Sequence, residues 1–99
     1  MILNVEIAAM ADQRFRILLV EDNPGDAFLV RTLLDETGDP FDIEHCSDLT
    51  SALTILNGDG PGARFDVVLL DLTLPDSSGV ETIRRVRSCA NSAPVVVLT

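Results

Sequence analysis

The chain has 99 residues, which is enough for one small domain. It carries 16 acidic and 7 basic side chains, a formal net charge of −9, and every basic residue is an arginine. This balance argues against a surface that binds nucleic acid or anionic lipid, because both need clustered positive charge. Hydrophobic residues make up 46% of the chain, which suffices for a core, but no apolar run approaches the roughly 20 residues that span a bilayer.

The first 13 residues are interpreted as an extension, because the regular pattern of apolar residues begins only near Phe15. The stretch before it has no positively charged start and is interrupted by Glu6, which argues against a secretory signal. Cys46 and Cys89 have neither the spacing of a metal site nor that of a disulfide framework. We therefore expect residues 14–99 to form one domain of a reduced, cytoplasmic protein.

The first predicted elements are a strand and a helix. Phe15–Val20 is a short, nearly continuous apolar run, which is typical of a strand buried on both faces. A helix follows and ends near Gly38, and Phe28 and Leu29 lie either on its exposed side or in a partly buried packing position. Its apolar positions recur at helical spacing, at Ala27, Val30, Leu33 and Leu34.

The rest of the chain repeats the alternation. A second helix, capped by Ser47 or Asp48, and a third helix beginning near Val80 are predicted. Because helical crossovers of this length join parallel strands, the order β-α-β-α-β-α-β predicts an α/β fold with an open parallel sheet. The remaining strands are predicted at Phe41–Cys46, Phe65–Leu70 and Pro94–Leu98.

Oxygen-bearing side chains follow three of the predicted strands: Glu21 and Asp22, then Asp71, then Thr99. Parallel strands bring such ends to one edge of a sheet, where polar chemistry gathers. Carboxylates that lie close together raise one another's pKa, and a divalent cation between them offsets the repulsion. Hard oxygen ligands favour Mg²⁺ or Mn²⁺ over zinc, and such an ion prepares an aspartate for phosphoryl transfer.

Two segments of the sequence have the character of a known family. Ile17–Pro24 reads ILLVEDNP, and Asp66–Gly79 reads DVVLLDLTLPDSSG. Together with Thr99 after the fourth strand, they resemble the receiver domain of two-component response regulators, from about Phe15 to the end of the chain. The resemblance implies a flavodoxin-like fold and a signalling module that is phosphorylated, rather than an enzyme with turnover beyond its own phosphotransfer and autodephosphorylation.

The resemblance also implies roles for particular residues. Asp71 matches the phosphoacceptor, which takes a phosphoryl group from a sensor histidine kinase or a phosphotransfer protein. Glu21, Asp22 and Asp71, with the backbone carbonyl of Thr73, match the ligands of a Mg²⁺ ion, for which Mn²⁺ is a substitute. Thr99 matches the switch hydroxyl that moves to the phosphoryl group.

The sequence departs from the family pattern after the fourth strand. The family places a lysine at the end of a fifth strand, but this chain has no lysine, and its 99 residues do not include a fourth helix, fifth strand or fifth helix. We therefore expect an incomplete receiver domain, such as a fragment or a truncated product. In the family's strand order 2-1-3-4-5, the fourth strand then lies at an edge. There its run Val95–Leu98 is expected to pair with another copy, to be completed by another segment, or to cause aggregation.

Two other functions remain open at this point. One is an aspartate-nucleophile phosphohydrolase similar to the haloacid dehalogenase group, which needs an acid two residues after the nucleophile, where this chain has Thr73. The other is a receiver that is never phosphorylated and acts by binding alone, against which the intact Glu21, Asp22 and Asp71 weigh. His45 has no second ligand nearby in the sequence and is expected to be structural.

Overall fold

A computed structural model of the chain describes residues 14–90 and 92–98; the predicted extension 1–13 and Thr99 lie outside them. These described residues contain three helices, α1 (Pro24–Glu36), α2 (Leu49–Leu56) and α3 (Val80–Cys89), together with a 3-10 turn at Pro61–Ala63. The strands are β1 (Phe15–Val20), β2 (Phe41–Cys46), β3 (Val67–Asp71), β4 (Thr73–Leu74), β5 (Ser77–Ser78) and β6 (Val95–Leu98). Four of them form a parallel sheet in the order β2-β1-β3-β6, which confirms the predicted α/β architecture.

One face of the sheet carries the main hydrophobic core. Alternate residues of the central strands, such as Leu18 and Val68, lie on this face and are completely buried. Helices α2 and α3 pack against them and against each other. The buried cluster consists of Leu18, Val20, Cys46, Leu49, Ala52, Leu56, Val68, Leu70, Leu74, Val86 and Ala90.

The opposite face is covered by α1 and is less well buried. Ile17 and Leu19 of β1 are buried on this side, but α1 buries only Ala27. Phe28 and Leu29 are 72% and 55% exposed, so of the two alternatives left open by the sequence both residues take the exposed one. Leu33, which the helical spacing assigned to the buried stripe, is 55% exposed, so that assignment was wrong.

The strand bounds agree with the predicted ones at β1 and β2. β3 and β6 each begin later than the apolar runs suggested, and β3 also ends one residue later, at Asp71. The two residues before β3, Phe65 and Asp66, both contact Arg16. The Asp66 carboxylate accepts the Arg16 backbone N–H at 2.7 Å, and the Arg16 guanidinium lies 4.6 Å from the centre of the Phe65 ring. Across residues 14–90 and 92–98, no helix is long and apolar enough to cross a bilayer.

Candidate functional site

The structure brings Glu21, Asp22 and Asp71 together at the carboxyl edge of the sheet. β1 and β3 are neighbours with Val20 opposite Leu70, so the residues that follow the two strands lie side by side. One carboxylate oxygen from each of the three acids lies within 4.8 Å of the others. Side chains 50 positions apart in the sequence, Glu21 and Asp71, thus share one small volume.

Glu21 is the buried member of this acidic cluster, with a relative exposure of 5%. Its Oε1 accepts the backbone N–H of Asn23 at 3.1 Å, and the side chain of Asn23 caps α1 by accepting from Gly25 and Asp26. Burial raises the pKa of Glu21 most; the Asn23 N–H lowers it, and the nearby Asp71 raises it further. A buried carboxylate beside two other acids therefore carries a cost that positive charge would relieve.

Asp71 is held by the loop that follows it. The backbone N–H of Thr73 donates to Asp71 Oδ1 at 3.0 Å, and the N–H of Gly79 donates to the carbonyl of Leu72 at 3.0 Å. Gly79 has φ of +68°, a region that residues with a Cβ rarely adopt, which explains a glycine where this loop enters α3. The fixed loop leaves the Asp71 carboxylate partly exposed at the sheet edge.

The charges at this edge are not balanced by arginine. Among the ion pairs of residues 14–90 and 92–98, none involves Glu21, Asp22 or Asp71. Three carboxylates without a basic partner are suited to a small, hard divalent cation, because such ions take oxygen ligands and neutralise the mutual repulsion. The donor set and its geometry therefore fit a cation site.

A cleft of about 440 Å³ opens beside the acidic cluster. Glu21, Asp26 and Asp71 form its polar side, and α1 and β6 contribute apolar side chains, among them Leu29 and Leu98. The Asp71 carboxylate therefore shares this cleft with both acidic and apolar side chains. Thr99, the predicted switch hydroxyl, lies outside the described residues.

Two further residues at this edge have structural roles. His45 Nε2 lies 2.7 Å from the backbone carbonyl of Glu21, and no candidate group of metal ligands in the described part of the chain includes it. Burial raises the pKa of the neighbouring Cys46 thiol to about 12, with Asp48 and Glu44 adding to the effect. His45 thus contacts the backbone of Glu21, and Cys46 belongs to the buried core.

Asp76 has a role at this edge that no sequence pattern indicated. Its carboxylate accepts the backbone N–H groups of Leu49 and Thr50, at 2.8 and 2.9 Å, and the Thr50 hydroxyl at 2.8 Å. The partners are 26 and 27 positions away, so no local pattern could have found them. The two short strands β4 and β5, which carry Asp76 at their turn, were likewise expected only as a loop.

Comparison with known proteins points to one family. The sequence profile described as the response regulator receiver domain matches residues 17–99. The transcriptional regulatory protein TrcR of Mycobacterium tuberculosis is 38% identical over 84 residues, which is 85% of this chain and 30% of that protein. The chain spans about a third of the length of the curated relatives that it matches.

Solved structures give the same result. The phosphorylated cyanobacterial phytochrome response regulator RcpA matches with a TM-score of 0.73 and 33% identity, covering 86% of this chain and 64% of that one. The receiver domain of a sensor histidine kinase from Pseudomonas aeruginosa, solved with a magnesium ion in its active site cleft, matches with a TM-score of 0.72. It is 27% identical and covers 88% of this chain and 68% of that one.

Proposed function

This chain belongs to the response regulator receiver domain family, and on that premise we propose that it is a phosphoacceptor whose nucleophile is Asp71. Receiver domains of this family take phosphoryl groups from histidine kinases or phosphotransfer proteins and act in signalling. The observation that carries the proposal for this chain is the convergence of Glu21, Asp22 and Asp71 within 4.8 Å. A similar site in a solved relative contains magnesium, which supports the same use here.

We assign Mg²⁺ to Glu21, Asp22, Asp71 and the backbone carbonyl of Thr73, with Mn²⁺ as a substitute of similar chemistry. When bound, such an ion offsets the negative charge of the acidic cluster and of an incoming phosphoryl group. The protein contributes by holding the acidic side chains in place. Glu21 is fixed by the Asn23 N–H, and Asp71 is fixed by the Thr73 N–H. The cluster is thus organised before a reactant arrives.

The transfer itself needs one nucleophile and one leaving group. An oxygen of the Asp71 carboxylate forms a bond to phosphorus while the bond from phosphorus to the donor's histidine nitrogen breaks. The electron pair of that bond leaves with the nitrogen, which takes up a proton as the neutral imidazole is restored. The Thr73 N–H, 3.0 Å from Asp71 Oδ1, keeps one carboxylate oxygen in place during the attack. Reorientation of the Thr99 hydroxyl toward the product remains a prediction from the sequence.

The neighbouring surfaces support two partner proposals. Leu29 of α1 is exposed and lines the cleft, and Phe28 is exposed on the same helix, so an apolar surface of a phosphodonor would bury both side chains. β6 is an edge strand of the described sheet and has an apolar sequence, which supports pairing with a second copy.

The pairing of β6 is tested by sedimentation velocity of Val96→Lys, which changes a side chain that is 47% exposed. The substitution is expected to reduce any self-association. An unchanged association constant would exclude β6 as the interface.

The phosphohydrolase alternative has no support at the second position. It requires an acid two residues after the nucleophile, and Thr73 there is exposed and contributes its backbone N–H to Asp71. We therefore propose uptake of a single phosphoryl group rather than repeated turnover of phosphomonoesters.

The proposal is tested by intact-mass spectrometry after incubation with acetyl phosphate and Mg²⁺. The parent chain is expected to gain one phosphoryl group, and Asp71→Asn is expected to gain none. Asp26→Asn is the matched control, because Asp26 lines the same cleft but is not assigned as the nucleophile. Equal labelling of the parent and Asp71→Asn, or loss of the label only in Asp26→Asn, would contradict the assignment.

A further inference from the structure

The loop after Asp71 is a closed hairpin rather than a free loop. β4 pairs with β5 in antiparallel register, with Thr73 opposite Ser78 and Leu74 opposite Ser77. Pro75 and Asp76 form the turn between them. Leu74 is buried in the main core, and the Ser77 hydroxyl lies 2.7 Å from that of the buried Thr82 in α3. The hairpin is therefore anchored along its length.

The turn of this hairpin is fastened to the first turn of α2. The Asp76 carboxylate accepts three hydrogen bonds there, two from backbone N–H groups and one from the Thr50 hydroxyl. The first N–H groups of a helix have no partner within the helix, and a carboxylate both satisfies them and interacts with the positive end of the helix dipole. These hydrogen bonds lower the pKa of Asp76.

A second aspartate serves the same helix end from within the helix itself. Asp48 is the N-cap residue of α2, and its carboxylate accepts the Ser51 N–H at 2.7 Å. Asp48 and Asp76 thus share the unpaired N–H groups of one helix turn. Of these two aspartates, Asp76 hydrogen-bonds that turn from the hairpin that follows Asp71, whereas the Asp48 carboxylate bonds within its own helix. Substituting Asp48 therefore tests the stability of the helix end alone, whereas substituting Asp76 also tests the position of the loop.

The other end of the hairpin holds the site. Thr73, the first residue of β4, donates its N–H to Asp71 Oδ1. Leu49, which follows Asp48, is 1% exposed in the core, so α2 provides a fixed point. A continuous series of contacts therefore runs from the core through α2, Asp76 and the hairpin to the Asp71 carboxylate.

We propose that Asp76 is a positioning residue for the cation site. By fastening the hairpin to α2, it sets where Thr73 lies relative to Asp71, and so where the Thr73 carbonyl and the Asp71 carboxylate meet the ion. This inference rests on the proposed function, in which that site holds Mg²⁺. Side chains that orient metal ligands from outside the ligand shell commonly change metal affinity when they are removed.

The test is calorimetric titration of the metal-free full chain with Mg²⁺. Asp76→Ala is expected to raise the Kd for Mg²⁺ about tenfold, in the range found for residues that orient metal ligands. Asp48→Ala, the matched control, removes a cap from the same helix end and is expected to leave the Kd within about twofold of the parent value. Asp76→Asn, which keeps one acceptor oxygen, is expected to give an intermediate Kd.

A second measurement does not need the metal. In the metal-free protein, hydrogen exchange at the Thr73 amide is expected to accelerate in Asp76→Ala and to remain at the parent rate in Asp48→Ala. Thr50→Val, which removes only the hydroxyl donor, offers a milder change if Asp76→Ala does not fold, and a smaller rise in Kd is expected from it. An unchanged Kd in a folded Thr50→Val would then overturn the inference.

The outcomes separate this inference from the function on which it rests. Equal Kd values for Asp76→Ala and Asp48→Ala, with Mg²⁺ binding intact in the parent, would overturn the positioning role alone. Absence of Mg²⁺ binding in the parent chain would overturn the proposed function and this inference with it.

Discussion

The two ends of strand β1 are both charged, but their charges are arranged in opposite ways. At the amino end, Arg16 lies 3.4 Å from the Asp42 carboxylate and 3.5 Å from that of Glu44, and its backbone N–H is bound by Asp66. Its guanidinium also lies over the Phe65 ring. Asp42, Glu44 and Asp66 thus each interact with Arg16, two through its guanidinium and one through its backbone N–H.

At the carboxyl end of the same strand, Glu21 and Asp22 meet Asp71 with no basic side chain paired to them among the described residues. The sheet is the same, and the distance between the ends is only about 20 Å for a strand of this length. The difference shows that paired charge at the amino edge stabilises the fold, whereas unpaired charge at the acidic cluster is suited to binding a cation. Three predictions test this contrast, from the largest effect to the smallest.

The largest expected effect is stabilisation by Mg²⁺ through the acidic cluster. At a Mg²⁺ concentration about 100 times its Kd, the free energy of unfolding should rise by about 2.7 kcal/mol, because the ion binds only the folded chain. Asp22→Asn should lose most of this gain. Urea denaturation with and without Mg²⁺ measures it, and an equal gain in Asp22→Asn would remove Asp22 from the site.

The amino edge should respond without any link to metal. Arg16→Leu removes two ion pairs and a cation–π contact, and we expect the free energy of unfolding to fall by about 1 to 2 kcal/mol. The loss should be the same with and without Mg²⁺, since Arg16 lies at the other end of β1. A Mg²⁺ gain that disappears in Arg16→Leu would contradict the separation of the two edges.

The smallest effect concerns the proton on Glu21. Since its pKa is raised in the folded state, the metal-free folded chain holds this proton more tightly than the unfolded chain does. Stability should therefore fall as pH rises from the ordinary carboxyl pKa through the raised value. Glu21→Gln should remove this fall and raise the metal-free stability near neutral pH by about 1 kcal/mol, the scale of one close charge pair in water.

The check on Glu21 is a series of urea denaturations in chelator across acidic to neutral pH. Glu44→Gln is the control, since Glu44 pairs with Arg16 at the amino edge. A pH dependence that persists unchanged in Glu21→Gln would assign it to another group.

The sequence predicted the elements that local patterns determine. β1 and β2 begin and end where their apolar patterns do, and Asp48 caps α2 as one of two expected candidates. Asp71 could be placed near Glu21 and Asp22 because parallel strands order their ends in a fixed way. The local pattern and the topology of parallel sheets were together sufficient to predict the acidic cluster.

Features that depend on tertiary packing could not be predicted in this way. Leu33 has the spacing of a buried residue, but how wide a stripe of α1 is buried depends on what packs against the helix. β4 and β5 have two residues each, too few for a period to be recognised. The bond from Asp76 to α2 joins segments far apart in sequence, so it became visible only in the folded chain.

The most direct test of the central claim uses Mn²⁺ as a paramagnetic substitute in a nuclear magnetic resonance titration of the isotopically labelled chain. Mn²⁺ added well below one equivalent should broaden the amide signals of Glu21, Asp71 and Thr73 and leave those of Arg16 and Asp66 sharp. The cation would then be located at the carboxyl end of β1. Equal broadening at both ends, or none at Asp71, would contradict the claim that the unpaired acidic cluster is a cation site.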